Sequence, residues 1–242
     1  MSDVRVSAET RQPDASDSEP TPRTNATRRI ARLAGVALAG VAYWTVVRPR
    51  MMNWGATPTE VRRPLAGDAL LPEPDAESTM AISIDAPPED IWPWLRQLGQ
   101  GRGGFYSYEW AENLVGLDIH NADEIIAEYQ AISIGDPVRL GTPERYPDAI
   151  LEIAAFSPER ALVLQTPGRP PQWVWSFVLD PVSETETRLV VRSRIRLPNN
   201  PVARVASQSV LDPVAFVMTR GMLRGIKERV ESVGDEKPLL DV

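Results

Sequence analysis

WVWSFVLDPVSETETRLVVRSRIRL, residues 173–197, alternates large apolar and polar side chains on either side of a polar turn. Trp173, Trp175 and Phe177 recur at every second position, which puts all three on one face of an extended strand. Further on, Leu189, Val191 and Ile195 fall on one face, and Arg192, Arg194 and Arg196 on the other. With turn residues at Ser183-Glu184 between them, the stretch reads as an antiparallel hairpin of strands 172–179 and 188–197.

The same texture extends upstream. Short strands are predicted at 137–140, 149–156 and 161–165, separated by Pro158-Glu159 and, before the hairpin, by Pro167-Gly168. Together they make a meandering antiparallel sheet with one apolar and one polar face. Ahead of them, Thr79–Asp85 alternates as a further strand and Pro87-Pro88 stops it. Ile91, Trp92, Trp94, Leu95 and Leu98 then fall at helical spacing over 88–98, and a second short helix is predicted over 107–115. At the other end, Asp212-Pro213 reads as a cap and first turn. The apolar stripe behind it, from Val214 through Met222 and Ile226 to Val230, predicts a long C-terminal helix, with 200–211 as a lead-in helix.

This order of elements resembles the helix-grip fold of the START-related SRPBCC superfamily, which includes polyketide cyclases/dehydrases, lipid-transfer domains and plant hormone-binding proteins. ISIDAPPEDIWPWLRQLG, 82–99, looks like the first strand, proline turn and first helix of that superfamily, and 173–197 looks like its last hairpin. The likeness covers residues 78–234. GRGGFYSYEWAENLVGLDIHNAD, 101–123, is similar to an insert of a bacterial, often membrane-linked subgroup. The resemblance implies an α+β fold in which a curved antiparallel sheet of about six or seven strands grips a long C-terminal helix around an apolar cavity. It implies no particular reaction, because the fold hosts transport, sensing and catalysis alike.

Composition narrows the partners. The chain has 242 residues and a net charge of −7, which argues against nucleic acid, whose phosphates need a basic surface. Without cysteine there is no disulfide, thiolate metal site or thiol nucleophile, and one histidine rules out a His-rich zinc site. No metal and no cofactor are predicted.

Residues 1–29 are too poor in large apolar side chains to fold and are predicted to be a disordered tail. Residues 30–48 are predicted to span a membrane once. The uncharged run Leu33–Val47 covers roughly 22 Å as a helix, and Ile30 and Ala31 lengthen it if Arg32 snorkels. Tyr43 and Trp44 suit an interface, while arginines on both flanks leave the side of the membrane open. A surface-lying or buried helix and a cleaved signal peptide are the competing readings. Residues 49–77 form a Pro-rich connector, in which Thr57-Pro58-Thr59-Glu60 has capping-box spacing. Residues 235–242 are a tail.

The chemistry-bearing residues cluster in 99–123. The Gly99–Gly104 turn follows a helix, not a strand, so it reads as a flexible gate and not as a nucleotide loop; Arg102 in it can meet an anionic head group or stay in water. Tyr106, Tyr108, Glu109, Trp110 and Asn113 are expected on one short helix at the cavity mouth, with Tyr106, Glu109, Trp110 and Asn113 on one face. His120, with Asp118 beside it and Glu109 nearby, has the makings of a general base. Trp173 and Trp175 can line the cavity.

Three functions fit these residues. The first is a membrane-tethered binding domain for a hydrophobic small molecule or lipid, its ligand held by Tyr106, Tyr108, Trp110, Asn113, Trp173 and Trp175. The second is a polyketide cyclase/dehydrase-like enzyme using His120 and Glu109, with Asp118 orienting the imidazole. The third is a protein-interaction domain with a filled core.

Overall fold

The computed structural model describes residues 22–235, which divide into two compact units at Val46. The first contains α1 (Pro22–Ala42). The helix starts earlier than residue 30 because Pro22 has the fixed φ that suits a first turn; of the tail predicted at 1–29, residues 1–21 lie outside the described residues. Ile30, Leu33, Val36 and Leu38 on α1 are exposed. Residues 28–52 are helical, long enough and apolar enough to cross a membrane by length and composition.

In the second unit the strands are β1 (Ala76–Ile84), β2 (Pro137–Arg139), β3 (Ile150–Ser157), β4 (Ala161–Gln165), β5 (Trp173–Pro181) and β6 (Thr187–Ile195). They form one six-stranded antiparallel sheet in the order β1-β6-β5-β4-β3-β2. The predicted hairpin is its centre, in register from Trp173 opposite Ile195 to Pro181 opposite Thr187. The helices are α2 (Arg48–Met52), α3 (Pro58–Arg62), α4 (Pro88–Arg96), α5 (Glu109–Leu114) and α6 (Pro201–Asp235). Phe177, Leu179, Leu189 and Val191 on the sheet bury against Trp94 and Leu95 of α4 and against Leu223 and Ile226 of α6. The fold is the helix grip.

Two boundaries differ from the sequence reading. First, α6 is one helix from Pro201, and Asp212-Pro213 lies inside it. Its cap is Asn200, whose Oδ1 accepts the backbone N–H groups of Val202 and Ala203 at 2.9 and 3.1 Å, with Pro201 in the first turn. Asp212 is used differently: its Oδ2 accepts from Nε of Arg48 at 2.6 Å. Second, residues 49–77, read as a connector ahead of the 78–234 domain, fall in the same compact unit as that domain. They cover part of the polar face of the sheet, where Thr79 and Arg192 are buried.

Three arginines of β6 explain that cover. Arg192 is buried, and its five N–H groups all find acceptors: Thr79 Oγ1, the carbonyls of Glu60, Val61 and Arg63, and Asp68 Oδ2. The three carbonyls come from the end of α3, where helical carbonyls lack partners and a cation is favoured. Arg194 pairs with Asp68 at 3.0 Å, and Arg188 pairs with Glu60 at 2.9 Å. The start of α3 carries the expected capping box, Thr57 and Glu60 bonding reciprocally. Burial works against the Glu60 carboxylate, yet the hydrogen bonds from Arg188 and Thr57 hold its pKa below the ordinary range.

Replacing Arg192 with Ala removes the donor to the carbonyls of Glu60, Val61 and Arg63 and one of the two arginines that balance Asp68. It should cost about 3 kcal/mol, since removing one partner of a buried pair is far more damaging than never having had the pair. Arg192→Lys should recover only part of the loss, because an ammonium cannot reach five acceptors in a fork. Urea unfolding midpoints check this: an unchanged midpoint in Arg192→Ala would mean the connector does not depend on it.

Candidate functional site

Between the apolar face of β5 and α6 the packing opens. The alternation of β5 brings three rings onto this face, as expected: Trp173 and Trp175 stack with centroids 5.3 Å apart, and Trp175 meets Phe177 at 4.8 Å. Phe105, from the loop after α4, adds a fourth ring 6.1 Å from Trp175. Opposite, Met218 and Met222 of α6 face them across a chamber of about 240 Å³. A second chamber of about 420 Å³ shares Trp173, Trp175, Met218 and Thr219 with the first and runs between β1 and the first half of α6. The Trp173 indole N–H is satisfied within the wall, donating to Ser193 Oγ at 2.8 Å.

One ionisable side chain lines the first chamber, Glu112 of α5, and it is only 6% exposed. Its Oε1 accepts from the Ser107 hydroxyl at 2.6 Å. Among the described residues, its Oε2 has no hydrogen-bond partner. Burial pushes the Glu112 pKa above the ordinary carboxylate range, and the charge of Glu109 adds to the rise, against the opposing bond from Ser107. No group of three or more His, Asp or Glu side chains suited to a metal occurs among the described residues.

No protein-family model and no curated protein matches this sequence. Solved structures do resemble it. The protein TTHA0849 from Thermus thermophilus is 15% identical, covering 65% of this chain and 99% of its own, with a TM-score of 0.38. The polyketide-cyclase-like protein Cgl2372 from Corynebacterium glutamicum is 17% identical over 69% of this chain and 97% of its own, with a TM-score of 0.35. The di-domain ARO/CYC protein BexL is 13% identical over 66% of this chain and 48% of its own, with a TM-score of 0.37. Likenesses at this level carry no argument about fold or chemistry.

The polar segment 99–123 turns out to be a scaffold. It has little regular secondary structure, so its backbone groups must be satisfied by side chains. Asn121 Oδ1 accepts from the N–H groups of Phe105 and Tyr106, while Asn121 Nδ2 donates to Ser107 O. Glu109 Oε1 accepts from Asn121 N at 2.5 Å, and Asn113 holds both backbone groups of Ile119. Glu109 and Asn113 are thus occupied by the loop, not offered to a ligand. Tyr106 is not on the helix face with Glu109, Trp110 and Asn113: it precedes α5 with φ +58°, is buried, and donates its hydroxyl to Trp94 O at 3.1 Å. Burial also raises its pKa strongly. Tyr108 lays its ring over Gly221, and the Tyr106 carbonyl comes so close to Gly225 that a side chain there would collide with it. Trp110 is 73% exposed and lies outside the chamber wall.

His120 and Asp118 do meet, at 3.2 Å, but both are exposed and neither lines a chamber. Glu109 is tied to Asn121 and does not join them. The glycine turn is pinned too: Gly99 and Gly104 exchange backbone hydrogen bonds, and Gln100 N donates to Arg139 O of β2. This bonding opposes a role as a gate. Arg102 is half-buried, and its Nη2 donates to Arg96 O at the end of α4 and to Tyr129 O.

The expected set therefore contributes Trp173 and Trp175 to the chamber. Phe105, Glu112 and Met218 carry no expectation in the sequence, and Met222 is expected there only in the apolar stripe of the C-terminal helix. Glu112 sits three residues after Glu109 on a short helix, and nothing local separates the buried acid from its neighbour. The pair Gly221 and Gly225, spaced one turn apart, was the available sign that a segment lies close against α6.

Because the folded pKa of Glu112 is raised, wild-type stability should fall as pH climbs from the ordinary carboxylate range through that raised value. Glu112→Gln removes the titration. Its stability relative to wild type should therefore grow over the same window and then level off, as read from urea midpoints between about pH 4 and pH 8. A difference that does not change with pH would place the Glu112 carboxyl in water.

Proposed function

We propose that this chain is a membrane-tethered binding domain that takes a hydrophobic small molecule or lipid into the chambers between β5 and α6. The observation that carries the reading is the wall itself. Two stacked tryptophans, a phenylalanine and two methionines face one another across open space in the middle of a grip that otherwise packs tightly. Aromatic and thioether side chains suit apolar ligands of varied shape, since rings stack and methionine adapts. A catalytic reading through His120 and Glu109 finds no such support, because the two are engaged separately and outside the chambers.

Two features support the tether. Residues 28–52 have the length and apolarity to cross a bilayer. In addition, α6 carries exposed Val202, Val210, Val214 and Val217 on its first half. Asp212, in the same half, pairs with Arg48, the first charged residue after the apolar run. Bilayer lipid over this valine row would take those side chains out of water and bring lipid to the second chamber.

Membranes carrying the full chain should retain it after alkaline carbonate washing; release into the wash would remove the tether. Irradiating such membranes with a diazirine-bearing fatty alcohol should leave adducts on peptides containing Trp173–Trp175 and residues 211–222. Adducts confined to residues 30–47 would show that lipid meets the apolar helix and never enters the chambers.

A further inference from the structure

We infer that the Glu112 carboxyl is the ligand anchor of the first chamber, donating a hydrogen bond to a carbonyl, ether or hydroxyl oxygen on an otherwise apolar, uncharged molecule. The inference rests on the binding reading above and names the kind of molecule bound.

Three observations converge on it. The chamber wall is apolar except for Ser107, Thr219 and Glu112, and the Ser107 hydroxyl is already given to Glu112 Oε1. The second oxygen of Glu112 is buried and has no partner among the described residues, an arrangement that costs free energy unless something binds there. No cation lines this chamber to keep the carboxyl ionised. The rest of the lining is uncharged, from the loops, from β5 and from α6; Glu109, on the same helix as Glu112, further opposes ionisation. The nearest charges of the second chamber, Arg48, Glu77 and Asp212, belong to a wall that does not include Glu112.

A protonated carboxyl has one O–H to donate and suits a ligand acceptor. A ligand carboxylate is disfavoured, since no cation lines the chamber to balance its charge. The chamber thus selects by shape through its rings and by a single polar contact at Glu112, the usual division in small-molecule sites.

The test uses the full chain in detergent with two neutral dyes, the ketone prodan and the ketone-free N-phenyl-naphthylamine, each corrected for detergent alone. Wild type should bind both. Glu112→Leu should weaken prodan about tenfold, the scale of one buried hydrogen bond, and leave N-phenyl-naphthylamine within about twofold. Glu112→Gln keeps an N–H donor, so it should retain prodan binding while abolishing its loss at rising pH. Thermal melts establish that both variants are folded. Equal prodan affinity in wild type and folded Glu112→Leu overturns the inference but spares the chamber as a binding site. So does binding of N-phenyl-naphthylamine without prodan. If neither dye binds wild type, the binding reading falls and the anchor falls with it.

Discussion

A guanidinium sealed between a sheet and the segment that covers it must satisfy five N–H groups at once, and much of this structure follows from how Arg192 does so. Its acceptors come from β1, from the end of α3 and from Asp68, so one side chain fastens residues 60–68 to the polar face of the sheet. Asp68 supplies the counter-charge and shares it with Arg194. A charge buried without these partners would be prohibitive, so the cover and the arginine stripe require each other.

Fixing the cover on one face also governs the opposite one. The connector passes the edge of the sheet at β1, where Ala81 N donates to Trp54 O at 3.0 Å. This occupies one position along an edge strand, the kind of site at which another chain can pair. Beyond the edge, the Trp54 ring lies under the guanidinium groups of Arg220 and Arg224 at 5.1 and 5.9 Å, and Arg48 holds Asp212. The first half of α6 is largely exposed and is held through Asp212 by Arg48, while its second half meets Trp54 through Arg220 and Arg224 and is buried in the core through Met222, Leu223, Ile226 and Val230. The chambers lie where α6 passes from one regime to the other.

The parts of the fold that could be read from the sequence are those fixed by local period and turn chemistry. The 173–197 hairpin, the Thr57–Glu60 capping box and the ring row of β5 are all determined within a few residues. Other features depend on distant partners. The Arg192, Arg194 and Arg196 row looks like any solvated strand face until residues 60–68 are laid over Arg192 and Arg194, and Arg196 does stay exposed. Asp212-Pro213 has the chemistry of a helix start, but Asn200-Pro201 has it as well, and only the packing of α6 decides between them. The segment 99–123 misled for a physical reason: a chain stretch without regular structure needs as many polar side chains as a binding site does. Glu109, Asn113 and Asn121 went to backbone groups, Asp118 and Asp123 to the side chains of His120 and Arg229, and the one acid that reached the chamber was Glu112, indistinguishable in the sequence from Glu109.

The most direct measurement is mass spectrometry of an organic extract of the full chain purified from its own membranes. It is run beside Met218→Trp, which fills the wall the two chambers share. The account predicts an uncharged molecule of a few hundred daltons, bearing at least one carbonyl, ether or hydroxyl oxygen, that accompanies wild type in near-stoichiometric amount and is lost from the filled variant. Identical extracts from the two proteins would contradict it, and would make the grip a packed domain whose work lies on its surface.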